Sequence, residues 1–198
     1  MHIMKTLFVT FYSDTPPSNF YQHCSVILKN RIEALGGRIY TECLPSLGSY
    51  EKNCLRKPQF ILNCLEKFKE PIIWIDADSI VNQLPTEMDN IIEDVGCVEK
   101  PCKTPESALI YFNNTLHSKD FLKSWIFGVG ANSPELDHPV LKEMWLEKIH
   151  KEKRISLNNQ VCSTSLTSKV RIILSKTIGK SETTKNVMMR RYNQGKIQ

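Results

Sequence analysis

The stretch Pro71-Ile72-Ile73-Trp74-Ile75-Asp76-Ala77-Asp78 constrains the fold of this chain more than any other. Four consecutive apolar residues of strand length describe a strand covered on both faces, because a strand with one wet face alternates. Two more strands precede it. Residues 5–12 are rich in β-branched and aromatic types and stop at the turn cluster Ser13-Asp14-Thr15-Pro16-Pro17. Phe20, Cys24, Ile27, Leu28 and Leu35 then recur at helical spacing, and Gly36-Gly37 ends the run as a C-cap would. Arg38 to Cys43 reads as a second strand, and Asn53 to Lys69 as a second helix burying Leu55, Ile61, Leu65 and Phe68. Pro58 falls near that helix's first turn, where a missing N–H costs little. The order strand, helix, strand, helix, strand is that of a parallel sheet with crossover helices.

The second half is less regular. The pattern predicts a short helix over Thr86–Asp94, strands over Val95–Glu99 and Ala108–Asn113, helices over His117–Phe127 and Pro134–Lys151, and a last strand over Val170–Leu174. The fold class is therefore α/β with a mixed sheet. At 198 residues the chain is expected to form a single domain, 1–198, with a basic C-terminal tail at about 176–198.

Composition is that of an ordinary globular protein, with 41% hydrophobic and 24% charged residues. No apolar run approaches the ~18 residues needed to span a bilayer, and the N-terminus reads as a strand in place of a signal peptide. The seven cysteines are odd in number and lack any Cys-x-x-Cys spacing, so they read as buried free thiols in a reducing, cytoplasmic compartment. From Lys169 onward there are eight basic residues against Glu182 alone, so this segment carries +7 while the whole chain carries +5. Such a tail suits an anionic partner or a solvated terminus.

Asp76 and Asp78 would lie on one face if the strand continued through them, since strand side chains alternate. Two carboxylates at the rim of a covered sheet repel and are poorly hydrated, which favours a cation or donors between them. Oxygen ligands with room for water and phosphate are what Mg²⁺ or Mn²⁺ prefers, and ligands of open parallel sheets gather beyond the carboxyl ends of the strands. The plainer reading is that the aspartates cap a turn or a helix start.

At this point the chain resembles the GT-A class of glycosyltransferases, in which Asp-x-Asp ends a central strand and holds the metal–diphosphate of a sugar nucleotide. Asn53-Cys54-Leu55-Arg56-Lys57-Pro58-Gln59-Phe60-Ile61, the acidic strand and Pro85 are similar to the family's Asn/Lys-Pro helix, acidic strand and following proline. Ser107-Ala108-Leu109-Ile110-Tyr111-Phe112 resembles its Ser-Gly-aliphatic-aromatic strand, with Ala108 in the glycine position. Trp125 and Leu136-Asp137-His138-Pro139-Val140-Leu141 resemble its tryptophan helix and Asp-Gln helix, with His138 replacing glutamine.

The resemblance spans roughly residues 5–175 and is strongest at 53–85. It implies a Rossmann-like three-layer sandwich with a central mixed, mostly parallel sheet flanked by helices. It also implies a metal-dependent transferase, with Mn²⁺ or Mg²⁺, acting from a nucleotide-diphosphate sugar onto a glycan or glycoprotein acceptor. UDP is the default carrier, and the compactness is similar to that of virus-encoded members.

Residue by residue, the resemblance gives Thr10, Phe11 and Tyr12 the nucleobase and ribose. It gives Lys57 the nucleotide, Asp76 the ribose or metal-bound water, and Asp78 direct ligation of the metal, with Ala77 between them in the nucleotide-binding set. Asp137 would face sugar or acceptor and would be the general base if the reaction inverts the anomeric centre. The family's late histidine ligand has no match in Ile173-Leu174-Ser175-Lys176, where Lys176 or Lys180 would neutralise phosphate instead. Two other readings fit parts of the sequence. One is a haloacid-dehalogenase-type phosphohydrolase with Asp76 as nucleophile and Asp78 as acid/base; the other is a nucleic-acid-binding module working through the basic tail.

Overall fold

The computed structural model describes residues 4–14, 16–99, 104–132, 137–149, 153–157, 162–163 and 172–173. The basic tail, Lys176 and Lys180 lie outside the described residues.

The chain opens with β1 (Leu7–Tyr12), α1 (Phe20–Ala34), β2 (Arg38–Cys43), α2 (Tyr50–Cys54), α3 (Lys57–Phe68) and β3 (Ile72–Ile75). There follow β4 (Ile80–Val81), a 3-10 turn (Thr86–Asn90), β5 (Val95–Glu99), β6 (Pro105–Phe112) and α4 (Leu116–Asn132). The last described elements are α5 (Asp137–Glu143), a π-helical turn (Met144–Lys148), β7 (Arg154–Leu157), β8 (Cys162–Ser163) and β9 (Ile172–Ile173).

Six strands form the central sheet in the order β2-β1-β3-β6-β5-β7. β1 runs parallel to both β2 and β3, β6 is antiparallel to β3 and β5, and β7 is parallel to β5. A small second sheet joins β4, β9 and β8. The fold is thus the expected mixed, mostly parallel sheet flanked by helices. Alternation along β3 divides the core. Ile72 and Trp74 face one cluster with Phe60, Ile61 and Leu65 of α3 and Trp125 of α4. Ile73 and Ile75 face the other, with Leu28 and Ile32 of α1. All four β3 residues are at most 2% exposed, as an unbroken apolar run requires.

Local chemistry sets the helix boundaries. The Asp14 carboxylate accepts from the backbone N–H of Tyr21 (2.9 Å) and of Gln22 (2.7 Å), satisfying donors that α1 leaves free at its start. At its end Gly36 takes φ 84°, its N–H donates to Glu33 O (3.0 Å), and Gly37 N–H donates to Ile32 O (2.9 Å). That double bond is the Schellman arrangement, and it needs a residue free to adopt the left-handed region.

The single helix expected over Asn53–Lys69 is two helices, α2 and α3. Pro58 has no N–H to give the carbonyl of Cys54, so the hydrogen-bond ladder breaks there and restarts. Lys57, the first residue of α3, is 5% exposed and shares the buried face of that helix with Ile61 and Leu65. Two further differences concern the second half. Thr86–Asn90 forms a 3-10 turn, and β4, β7 and β8 were not foreseen. Among the described cysteines, all free, Cys43 is exposed, which corrects the expectation that the thiols are buried; it ends the edge strand β2.

Candidate active site at the carboxyl rim of the central strand

β3 stops at Ile75, one residue before the acidic pair. Asp76 N–H still donates to Ala108 O of β6 (2.9 Å), and Ser79 N–H donates to Asp76 O (3.0 Å), closing a turn over Asp76-Ala77-Asp78-Ser79. The strand-alternation argument for the two aspartates therefore does not apply; a turn presents them. Asp78 and Ala77 are buried at 4% and 6% exposure, while the Asp76 side chain keeps 27%. Asp78 lies toward α1, where its charge acts on the Cys24 thiol.

Asp76 is held by two side chains. The Trp74 indole, two residues back on the same face of the strand, donates from Nε1 to Asp76 Oδ1 at 2.9 Å. The Lys57 ammonium, first residue of α3, stands 3.3 Å from the same oxygen and 3.2 Å from Oδ2 of Asp137. It also donates to the carbonyl of Ser107 (3.2 Å) and sits 5.3 Å from the Trp74 ring centre. Asp137 opens α5, is 4% exposed, and has its own carbonyl fixed by the Trp125 indole N–H at 3.2 Å. Five sequence-distant segments thus converge on one buried charge cluster.

Burial by itself would push the Lys57 ammonium down. The Asp137 carboxylate, and after it Asp76, outweigh that and hold it above the ordinary lysine range. Burial likewise raises the Asp76 carboxyl; Lys57 pulls it back, and the like charge of Asp137 pushes it up again. The net direction is upward, with one ammonium shared between two carboxylates.

The remaining expected residues lie along β1. Thr10 has no exposed surface, and its neighbour Phe11 packs edge-on against Phe60 (5.2 Å between ring centres) and tilted against Trp74 (5.4 Å). Tyr12 is half-buried at the strand's end, its phenol raised by burial and by a hydrogen bond with the Cys43 thiol. Among the described residues no group of three or more His, Cys, Asp or Glu side chains is placed to hold a metal ion.

Sequence reasoning missed three participants. Trp74 could have been found, because it lies two residues before Asp76 and shares its face. Ser107 contributes only a carbonyl, which no side-chain pattern announces. Tyr50 starts α2, stacks on Tyr21 of α1 (6.5 Å, 27°), and is pushed up by burial, by Cys54 and by Asp76. Its approach to the acidic turn depends on the loop before α2.

The fold is that of a GT-A-type glycosyltransferase. A solved structure described as a glycosyltransferase involved in the glycosylation of the major capsid of PBCV-1 superposes with a TM-score of 0.67, covering 93% of this chain and 98% of that one at 14% identity. No family model and no curated protein matches the chain. No helix among the described residues is long and apolar enough to cross a membrane.

Proposed function

We propose that the chain is a metal-dependent glycosyltransferase that moves a sugar from a nucleotide-diphosphate sugar, UDP-sugar by default, to a glycan or protein-linked acceptor. The observation that carries this reading is the buried Lys57–Asp76–Asp137 cluster beside the acidic turn, at the carboxyl end of the central strand of a GT-A fold. In sheets of this kind the carboxyl rim is where ligands bind. A viral glycan acceptor is the corresponding choice by analogy with the PBCV-1 protein.

The donor set suits Mn²⁺ or Mg²⁺. Such ions are held through one or two carboxylates and complete their shell with water and phosphate, so a three-carboxylate cage is not needed. Asp78 and Asp76 would hold the ion, which when bound neutralises charge on the departing diphosphate. Tyr12 and the backbone at the end of β1 would bind the base and ribose, with Ala77 lining the nucleotide side of the turn. Asp137, anchored by Trp125 and Lys57, would hold a sugar or acceptor hydroxyl, and in an inverting reaction would take its proton. The low exposure of Asp78 and Asp137 excludes water, which strengthens each of these electrostatic contacts.

Asp78→Asn tests the assignment. The substitution keeps shape and removes the charge. Metal-dependent binding of a nucleoside diphosphate should disappear while thermal melting stays within a few degrees of wild type. Retained metal-dependent binding would defeat the reading.

A further inference from the structure

We infer that Lys57 is a positioning residue, an internal counter-ion that ties Asp137 to Asp76 and does not itself contact the donor's phosphates. An ammonium has three N–H groups and no more. Lys57 Nζ has three oxygens around it at 3.2–3.3 Å: Asp76 Oδ1, Asp137 Oδ2 and the Ser107 carbonyl. Its side chain is 6% exposed, and its ammonium sits 5.3 Å from the Trp74 ring centre. A phosphate could reach it only by displacing one of these oxygens, and two of them are charged. The geometry is that of an anchor.

The consequence is a link between two halves of the reaction centre. Asp76 belongs to the end of β3 and Asp137 to the start of α5, and the lysine comes from a third element, α3. Lys57 fixes where Asp137 points relative to the acidic turn. On the transferase reading it therefore sets how the donor's sugar is held, while leaving phosphate binding to the turn. Removing it leaves two buried carboxylates facing each other without a cation, a loss that should be large and that deleting one carboxylate should relieve.

The test uses wild type, Lys57→Met, and the pair Lys57→Met with Asp137→Asn. Each is titrated with a nucleoside, its diphosphate and the matching sugar nucleotide, taking uridine, UDP and UDP-glucose first. The ratio of diphosphate to nucleoside affinity should stay within about twofold of wild type in Lys57→Met. The ratio of sugar-nucleotide to diphosphate affinity should fall about fivefold, a change that loss of packing alone would not produce. A tenfold or greater fall in the first ratio would show Lys57 to be a phosphate ligand and overturn the inference.

Melting supplies the second readout. Lys57→Met should melt about 10 °C lower, and adding Asp137→Asn should recover part of that loss. No recovery would count against the inference. If Lys57→Met fails to fold, the double variant carries the diphosphate-to-nucleoside comparison. If wild type binds none of the three ligands, the uridine carrier is excluded, and the melting comparison still decides the role of Lys57.

Discussion

Trp74→Phe isolates one bond at the centre of the site. The indole N–H donates to a carboxylate at 2.9 Å, and the ring is 2% exposed, packed edge-on against Phe60. A hydrogen bond to a charged group contributes about 1.5–3 kcal/mol. Asp76 keeps 27% of its side-chain surface, so water can replace part of what is lost, which places the bond near the lower limit, about 1.5 kcal/mol. Shrinking indole to phenyl gives up roughly 40 Å² of apolar burial, about 1 kcal/mol at 25 cal/mol per Å². Phenyl also offers Lys57 a weaker face than indole.

The sum is about 2–3 kcal/mol, which lowers a urea midpoint by ~1 M for a slope of 2–3 kcal/mol per M. Urea unfolding followed by tryptophan fluorescence and by circular dichroism measures it, the two probes checking each other because the variant loses one of three tryptophans. Nucleoside diphosphate affinity should fall several-fold in parallel, since Asp76 loses one of its two anchors. A stability change below about 0.5 kcal/mol would mean that water holds the Asp76 carboxylate as well as the indole does, contrary to the bond's assigned strength.

Two glycines of α4 make a matched pair. A Cβ on Gly128 would stand 2.6 Å from Val140 Cγ1 of α5, whereas one on Gly130 would meet nothing within 4 Å. Gly130→Ala should raise stability by about 0.5–1 kcal/mol through helix propensity, and Gly128→Ala should lower it by about 1–2 kcal/mol as overpacking outweighs that gain. Thermal melts would separate them by several degrees, and equal shifts would contradict the described α4–α5 contact. The thiols make a prediction in pH. Burial first, with nearby carboxylates adding to it, raises Cys24 and Cys64 to about 12. A raised thiol is neutral in the folded chain while the unfolded chain ionises near pH 9. Stability is therefore unaffected below that pH and falls as pH rises from about 9 toward 12, by about 1.4 kcal/mol per unit for each thiol. Denaturant unfolding at pH 8, 9 and 10 checks the sign. In native alkylation at pH 8, exposed Cys43 should react well before Cys24 and Cys64, and equal rates would count against their burial.

Elements with a strong internal pattern were legible in the sequence. β1, α1, β2, β3 and α4 follow from apolar period and punctuation, and Gly36-Gly37 marked a helix end that the structure forms with two specific hydrogen bonds. The break at Pro58 was harder to place, because a proline in a first turn and a proline that splits a helix look alike until the preceding residues are seen to be helical. β4 and β8 are two residues long and exist through pairing with β9, which local pattern does not report, whereas β9 lies within the strand expected over Val170–Leu174. For the candidate site, the sequence offered the acidic turn, Lys57 and Asp137 as separate residues. That the three form one cluster depends on the starts of α3 and α5 both reaching the end of β3 and on Trp125 holding the start of α5. Both are tertiary facts. The alternation rule was applied to Asp76 and Asp78, where it fails because the chain turns after Ile75; applied to Trp74 and Asp76 it would have held.

Calorimetric titration of the wild-type chain with each nucleoside diphosphate, once with Mn²⁺ and once with a chelator, tests the central claim most directly. One nucleotide should bind with the metal present and weaken at least tenfold when it is removed. Equal binding in both conditions would contradict a metal–diphosphate site at Asp76 and Asp78, and no binding of any nucleotide would remove the donor site itself.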